Sequence, residues 1–284
     1  MTKKSVFTGI SSFVIVLLCM PLGHALMIVM ERLLSATAVN YAALAMALAG
    51  VIIVTLGRKL SSDAGRTVAG LAGGLLFWTG AVEFCFVYYA HRYGVQPLIE
   101  NGEVVTKPEY LIMPSSAGFF VMAMLFYLTS VPTACPFLNF FARKKAGTVR
   151  RNSAVVTFME LNMIMWASYL ALLLCYDERI LGDRHPVTLL LAFGCLVGSI
   201  FMFGDLLKCR SWGKSLRQAI ATVIVFWTFV EVMGRLDFLR EIWVEPFSHV
   251  AEMLWIAAAF AIISLAAVFV SRRKRVFLRD ENES

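Results

Sequence analysis

The chain has 284 residues, 59% of them apolar and 16% charged, with a mean hydropathy of +0.74 and a net charge of +7. A soluble domain runs at about 45–50% apolar and about 25% charged, so the composition excludes a water-soluble enzyme or a disordered chain and indicates a polytopic membrane protein. The six cysteines are scattered without a C-x-x-C, which excludes a zinc ribbon or thioredoxin-like motif and gives no disulfide framework.

A membrane span needs about 20 mostly apolar residues. In chain order the sequence predicts eight, at 7–30, 37–57, 67–91, 111–131, 153–176, 187–207, 217–236 and 249–271. The first run is too long for the apolar core of a signal peptide. With the N-terminus in the cytoplasm, nineteen of the 26 Lys and Arg fall on the inner side and seven on the outer. Positive residues stay inside, so both termini are expected in the cytoplasm of a bacterial inner membrane. The basic balance is then an orientation signal that requires no nucleic acid, and the inner face is suited to anionic lipid.

Two halves of the chain resemble each other at three places in the same order. Glu31-Arg32-Leu33-Leu34 matches Glu178-Arg179-Ile180-Leu181. Phe77-Trp78-Thr79 with Val82-Glu83 matches Phe226-Trp227-Thr228 with Val230-Glu231, with a one-residue gap. Glu109-x4-Pro114-x-Ser116 matches Glu241-x4-Pro246-x-Ser248. The expected fold is therefore all-α, eight transmembrane helices in a parallel tandem repeat of two four-helix units related about the membrane normal. Residues 1–131 form the first unit, 132–152 a basic cytoplasmic linker, 153–271 the second unit and 272–284 a cytoplasmic tail.

Ionisable residues within spans are functional candidates. Glu83 and Glu231 are mates under the repeat and lie in the outer half of spans 3 and 7. Glu231 is four residues before Arg235, so the two share a helical face; Val87 stands in the matching place after Glu83. Two equivalent carboxyls in unequal surroundings suit proton uptake or release. Glu160 in span 5, near Asn162, suits either a proton relay or an interhelical hydrogen bond. All four histidines fall on the outer side: His24 deepest in span 1, His91 ending span 3, His185 starting span 6, and His249 three residues before Glu252 at the start of span 8. They are candidates to bind haem or a metal, although no characteristic ligand spacing is present. Trp78 with Phe84, Phe86, Tyr88 and Tyr89 suits an apolar pocket or an interfacial belt. Gly70 and Gly74 form a G-x-x-x-G, and Gly73 and Gly80 a second small face, both suited to close helix packing.

Glu231-Val-Met-Gly234-Arg235-x-x-Phe238 is similar to an E-x-x-G-R-x-x-F motif in membrane anchor subunits of dimethyl-sulfoxide-reductase type. His91-Arg-Tyr-Gly94-Val-Gln-Pro97 loosely resembles a histidine followed by Gly and Pro in the same anchors. Those anchors have eight helices. The related polysulfide-reductase-type subunits are built as two four-helix bundles, bind quinol near the outer face and pass electrons to an iron–sulfur partner. In this chain the motif lies on span 7, whereas it ends the final helix of those anchors. The resemblance implies a quinol site around His91, Glu231 and Arg235.

The leading expectation is an integral membrane subunit that binds a quinone, or a haem, in the outer half of the membrane and exchanges electrons and protons with a redox partner. Its expected catalytic residues are Glu83 and Glu231, and its cofactor-binding residues His24, His91, Arg235, His249 and Glu252. A small proton-coupled transporter using the paired carboxyls, an intramembrane metal-dependent enzyme, and a receptor or assembly subunit are the alternatives.

Overall fold

The computed structural model describes residues 3–100, 103–130, 152–240 and 242–283. The chain is helical: α1 (Lys3–Leu33), α2 (Ala36–Gly57), α3 (Asp63–Phe77), α4 (Phe84–Arg92), α5 (Pro108–Ile112), α6 (Ala117–Ser130), α7 (Ser153–Tyr176), α8 (Pro186–Leu206), α9 (Trp212–Arg235) and α10 (Val250–Glu283). A π-helical turn, Trp78–Glu83, joins α3 to α4 without a break. One small departure from an all-helical chain is an antiparallel hairpin of β1 (Leu98–Glu100) and β2 (Glu103–Thr106).

Seven helices among the described residues are long and apolar enough to cross a membrane: α1, α2, α3 running into α4, and α7 to α10. They correspond to seven of the eight expected spans. The remaining segment, expected at 111–131, holds the end of α5, a 3-10 turn at Met113–Ser116 and the fourteen residues of α6. The fourteen residues of α6 run to the last described residue of this segment, Ser130. The chain beyond Ser130, including all of the expected basic linker except Asn152, lies outside the described residues, as does Glu241 of the third repeat match. At the other end, α10 continues as helix through 272–283, the stretch read as a tail.

Short polar side chains start several helices by accepting a free backbone N–H. Ser35 accepts from Ala38, Ser62 from Gly65 and Asn152 from Ala154. His185 does the same for α8 with Nδ1, and Pro186 follows in the first helical position.

The helices pack in a regular pattern. α2 lies on α3, and α8 on α9. α3 lies on α7, and α1 on α9. α1 meets α10, and α7 meets α6; α3 and α9 meet each other. α1 thus packs against α9 and α10 from late in the chain, and α7 against α3 and α6 from early in it, so the two parts of the chain interleave. Glycines permit these crossings, as their spacing suggests. A Cβ at Gly70 would stand 2.4 Å from the Ala154 carbonyl oxygen of α7, and one at Gly80 would stand 2.5 Å from the Ala43 carbonyl oxygen of α2. Neither helix pair could approach so closely with a larger residue.

α9 is the central helix: 72% of its most apolar stretch is buried, against 6% for α10. Leu216, Ile220, Val223, Ile224 and Trp227 of α9 form the core with Val16, Leu161 and Leu206. Large apolar residues such as Leu190, Phe201, Trp255 and Leu265 face outward, as hydrocarbon-facing side chains do. Away from the histidines, Arg217 of α9 pairs with Asp63 at 3.2 Å and donates to Thr67 at 2.6 Å, and Ser153 of α7 donates to Asp63. This cluster ties α3, α7 and α9 together at one end of the bundle.

Candidate functional site

At the opposite end, where the histidines gather, the helices and loops enclose a cavity of about 720 Å³. This falls within the range of roughly 300–1,000 Å³ typical of small-molecule sites. Its wall takes His24 from α1, Tyr169 from α7, Glu231 and Arg235 from α9, Lys107 from the chain after β2, and Trp243 from the turns before α10.

The ionisable core of the site is a contact between α1, α7 and α9. Tyr169 Oη lies 3.0 Å from His24 Nε2, and the same nitrogen lies 3.5 Å from Glu231 Oε1. Both the His24 and Glu231 side chains are largely buried. Trp227, one turn before Glu231, donates its indole N–H to Oε1 at 2.6 Å. The i,i+4 spacing of Trp227 and Glu231 makes that bond geometrically natural on a regular helix. In the first half, Trp78 and Glu83 are five residues apart, and the intervening π-helical turn absorbs the extra residue. A π-turn is a one-residue bulge of this kind and recurs at functional sites. The one-residue gap between the sequence matches therefore coincides with a local change of helix geometry.

Aromatic rings frame the polar core. Trp78 stacks on Tyr169 with centroids 5.7 Å apart, and Tyr110 of α5 is near-parallel to Tyr169 at 6.1 Å. Trp227 and Trp243 pack at 4.8 Å. Below Glu231 a second, water-sized void of about 10 Å³ is lined by Ser168, Thr228 and Tyr169 among others.

Arg235 connects three parts of the wall. Its Nε donates to Asp183 Oδ1 at 2.8 Å, its Nη2 donates to Thr106 Oγ1 at 3.2 Å, and its guanidinium lies 4.4 Å from the centre of the Tyr176 ring. α9, the turn after α7 and the β-hairpin are joined through this one side chain. Spacing nominates Glu231 as the mate of Arg235; Asp183, from a turn with no motif, is the carboxylate that meets it at 2.8 Å.

The structure thus brings His24, Glu231 and Arg235 to one cavity. Glu83 is not among the lining residues, but it lies within electrostatic reach of His24. His91 is exposed at the end of α4, and His249 faces Glu252 at 3.7 Å; none of these three lines the cavity. Tyr88 and Tyr89 are exposed, while Trp78 is buried in the stack. Glu160 is buried elsewhere and accepts from Tyr127 Oη at 3.3 Å. Sequence reading passed over Tyr169, Asp183, Lys107 and Trp243. Tyr169 is seven residues from Tyr176 and shares its helical face, a weak signal; Asp183 had none.

The donor set does not fit a haem held between two histidines. His24 Nε2 is occupied by Tyr169 and Glu231, His185 uses Nδ1 to cap α8, and His91 lies outside the cavity. Among the described residues, no group of three His, Cys, Asp or Glu side chains is placed to hold a metal ion. Compared with known protein families, characterised proteins and solved structures, the chain has no match in any of the three.

Proposed function

We propose that the cavity binds a quinol in the outer half of the membrane, and that the chain is the membrane subunit of a redox assembly. The observation that carries this reading is the His24–Tyr169–Glu231 cluster beside the Trp78–Tyr169–Tyr110 stack. Oxidation of a quinol to a quinone releases two protons and two electrons. The Glu231 carboxylate accepts one of these protons from a ring hydroxyl, and the His24 imidazole beside it takes the other. The flat aromatic faces hold the ring. The electrons pass to a redox partner subunit, as the resemblance of Glu231-Val-Met-Gly234-Arg235-x-x-Phe238 to the anchor motif implies.

The lining charges favour an uncharged ligand. Lys107, Arg184 and Arg235 stand against Glu178, Asp183, Glu231 and Asp237, so neither sign dominates strongly enough to select an ion. A hydrogen-bonding neutral ring is better served.

The positive-inside pattern supports the orientation, with both termini cytoplasmic and the cavity on the outer side of a bacterial inner membrane. The paired helix contacts and the π-turn at the sequence gap support a duplicated four-helix unit, with the segment expected at 111–131 as the eighth span. Proton-coupled transport is the second reading. It is favoured by the equivalent helical positions of Glu83 and Glu231, and it would require transport of a solute driven by a proton gradient.

The deciding experiment is extraction of the gently purified protein from its own membranes, with bound small molecules identified by mass spectrometry. Quinone or quinol near one per chain is expected. Bulk lipid alone, together with no binding of added quinol, would refute the reading and leave transport in first place.

A further inference from the structure

The Trp243 side chain has a property that the His24–Glu231 chemistry does not use. The residue is 8% exposed, and its indole Nε1 is buried with no hydrogen-bond partner among the described residues. Its ring forms part of the cavity wall and packs on Trp227, whose own N–H is bonded to Glu231. An indole N–H can only donate, and a buried donor left unpaired is destabilising, so each such group in a native fold calls for a reason. Trp243 stands among turns, outside regular helix or strand.

We infer that Trp243 is a ligand-binding residue whose indole N–H donates to an oxygen of the molecule in the cavity. The site then has opposite demands at two points. The Glu231 carboxylate accepts, so it needs an O–H on the ligand; Trp243 donates, so it needs an oxygen lone pair. A dihydroxylated aromatic ring meets both demands. A fully oxidised dione, which has no O–H, meets only the second. The site therefore binds the reduced form more tightly than the oxidised one. This inference rests on the reading of the cavity as a quinol site and adds its anchor and its redox preference.

The test is tetramethylhydroquinone binding to the purified full chain, followed by tryptophan fluorescence, with tetramethylbenzoquinone as the oxidised comparison. Trp243→Phe keeps an aromatic ring, smaller than the indole, and removes the donor. Affinity for the hydroquinone is expected to fall about tenfold, the equivalent of one net hydrogen bond, in a variant shown to be folded by a cooperative melting transition. Unchanged affinity in the folded variant overturns the inference, as does a wild type that binds the dione at least as tightly as the hydroquinone. If wild type binds neither compound, the quinol reading itself fails.

A measurement on wild type guards against a variant that does not fold. With ¹⁵N-labelled tryptophan, five of the six indole signals are assigned by single Trp→Phe changes, leaving that of Trp243. Hydroquinone should shift this signal downfield, and tetramethylbenzene, which has no oxygen, should not. No shift at saturating hydroquinone overturns the inference.

Discussion

Glu231→Gln is the most informative perturbation of the site because it removes a charge and a proton acceptor while preserving shape. Oε1 of Glu231 receives the Trp227 indole N–H at 2.6 Å and faces His24 Nε2 at 3.5 Å. In the variant, the amide oxygen still accepts from Trp227. A hydrogen bond to a charged acceptor contributes about 1.5–3 kcal/mol and a neutral one about 0.5–1.5, so about 1–2 kcal/mol of local stabilisation is lost. That is on the order of tenfold in an equilibrium constant. The proton-accepting function is lost outright, and a positioned base typically contributes about 10²–10⁴-fold in rate. Quinol oxidation in native membranes, with the partner in place, is therefore expected to fall at least about 100-fold, while quinol affinity changes by no more than about tenfold. Glu83→Gln should slow turnover less, since Glu83 does not line the cavity. A folded Glu231→Gln protein that turns over within about threefold of wild type would refute the proton-acceptor role, because that loss is far below the contribution of a positioned base. Equal effects at the two carboxyls would refute the assigned inequality.

Two further outcomes follow from the packing and the charge pattern. Gly70→Leu places a Cβ 2.4 Å from the Ala154 carbonyl oxygen and 2.7 Å from Thr157 Cβ; because the nearest atom is backbone, α3 and α7 must separate, destabilising the protein by at least about 1–3 kcal/mol. A melting temperature in detergent equal to that of wild type would show that this crossing is not as close as described. Green fluorescent protein fused after Ser284 should fluoresce and alkaline phosphatase fused there should be inactive; the reverse pair of results would place the C-terminus outside and the cavity on the cytoplasmic side.

Most of the bundle was legible in the sequence because lipid leaves a span few alternatives. Without water, each span must satisfy its own backbone, so twenty apolar residues already mean a helix. The boundary of the seventh span shows the limit. Hydropathy began it at 217, whereas α9 begins at Trp212. Lys214 and Arg217 lower the apolar average, yet Arg217 is tied to Asp63 and Thr67 within the helical bundle. The site was legible in part. His24 and Glu231 stood out as ionisable groups deep in apolar runs, and the cavity holds both. His91, His249 and Glu252 stood out by residue type, and packing sends them elsewhere. Asp183 and Trp243 were not legible, because their roles depend on how a turn folds over the end of a helix that is remote in sequence.

The interleaving of the halves explains why the site takes residues from both. If each four-helix unit formed its own bundle, His24 would face α2 to α6, and Tyr169 and Glu231 would belong to a separate core. Instead α1 crosses to α9, and α7 crosses to α3. His24 from the first half is thereby brought to Tyr169 and Glu231 of the second, while Trp78 from the first half stacks on Tyr169. The two halves of the chain differ at these positions. Under the register that aligns Glu31 with Glu178, His24 matches Ala171 and Tyr169 matches Leu22. The first half therefore offers no second copy of the cluster, and Glu83 remains a carboxyl without an equivalent tyrosine–histidine partner set. The cavity therefore forms where α1, from the first half of the chain, lies against α9, from the second.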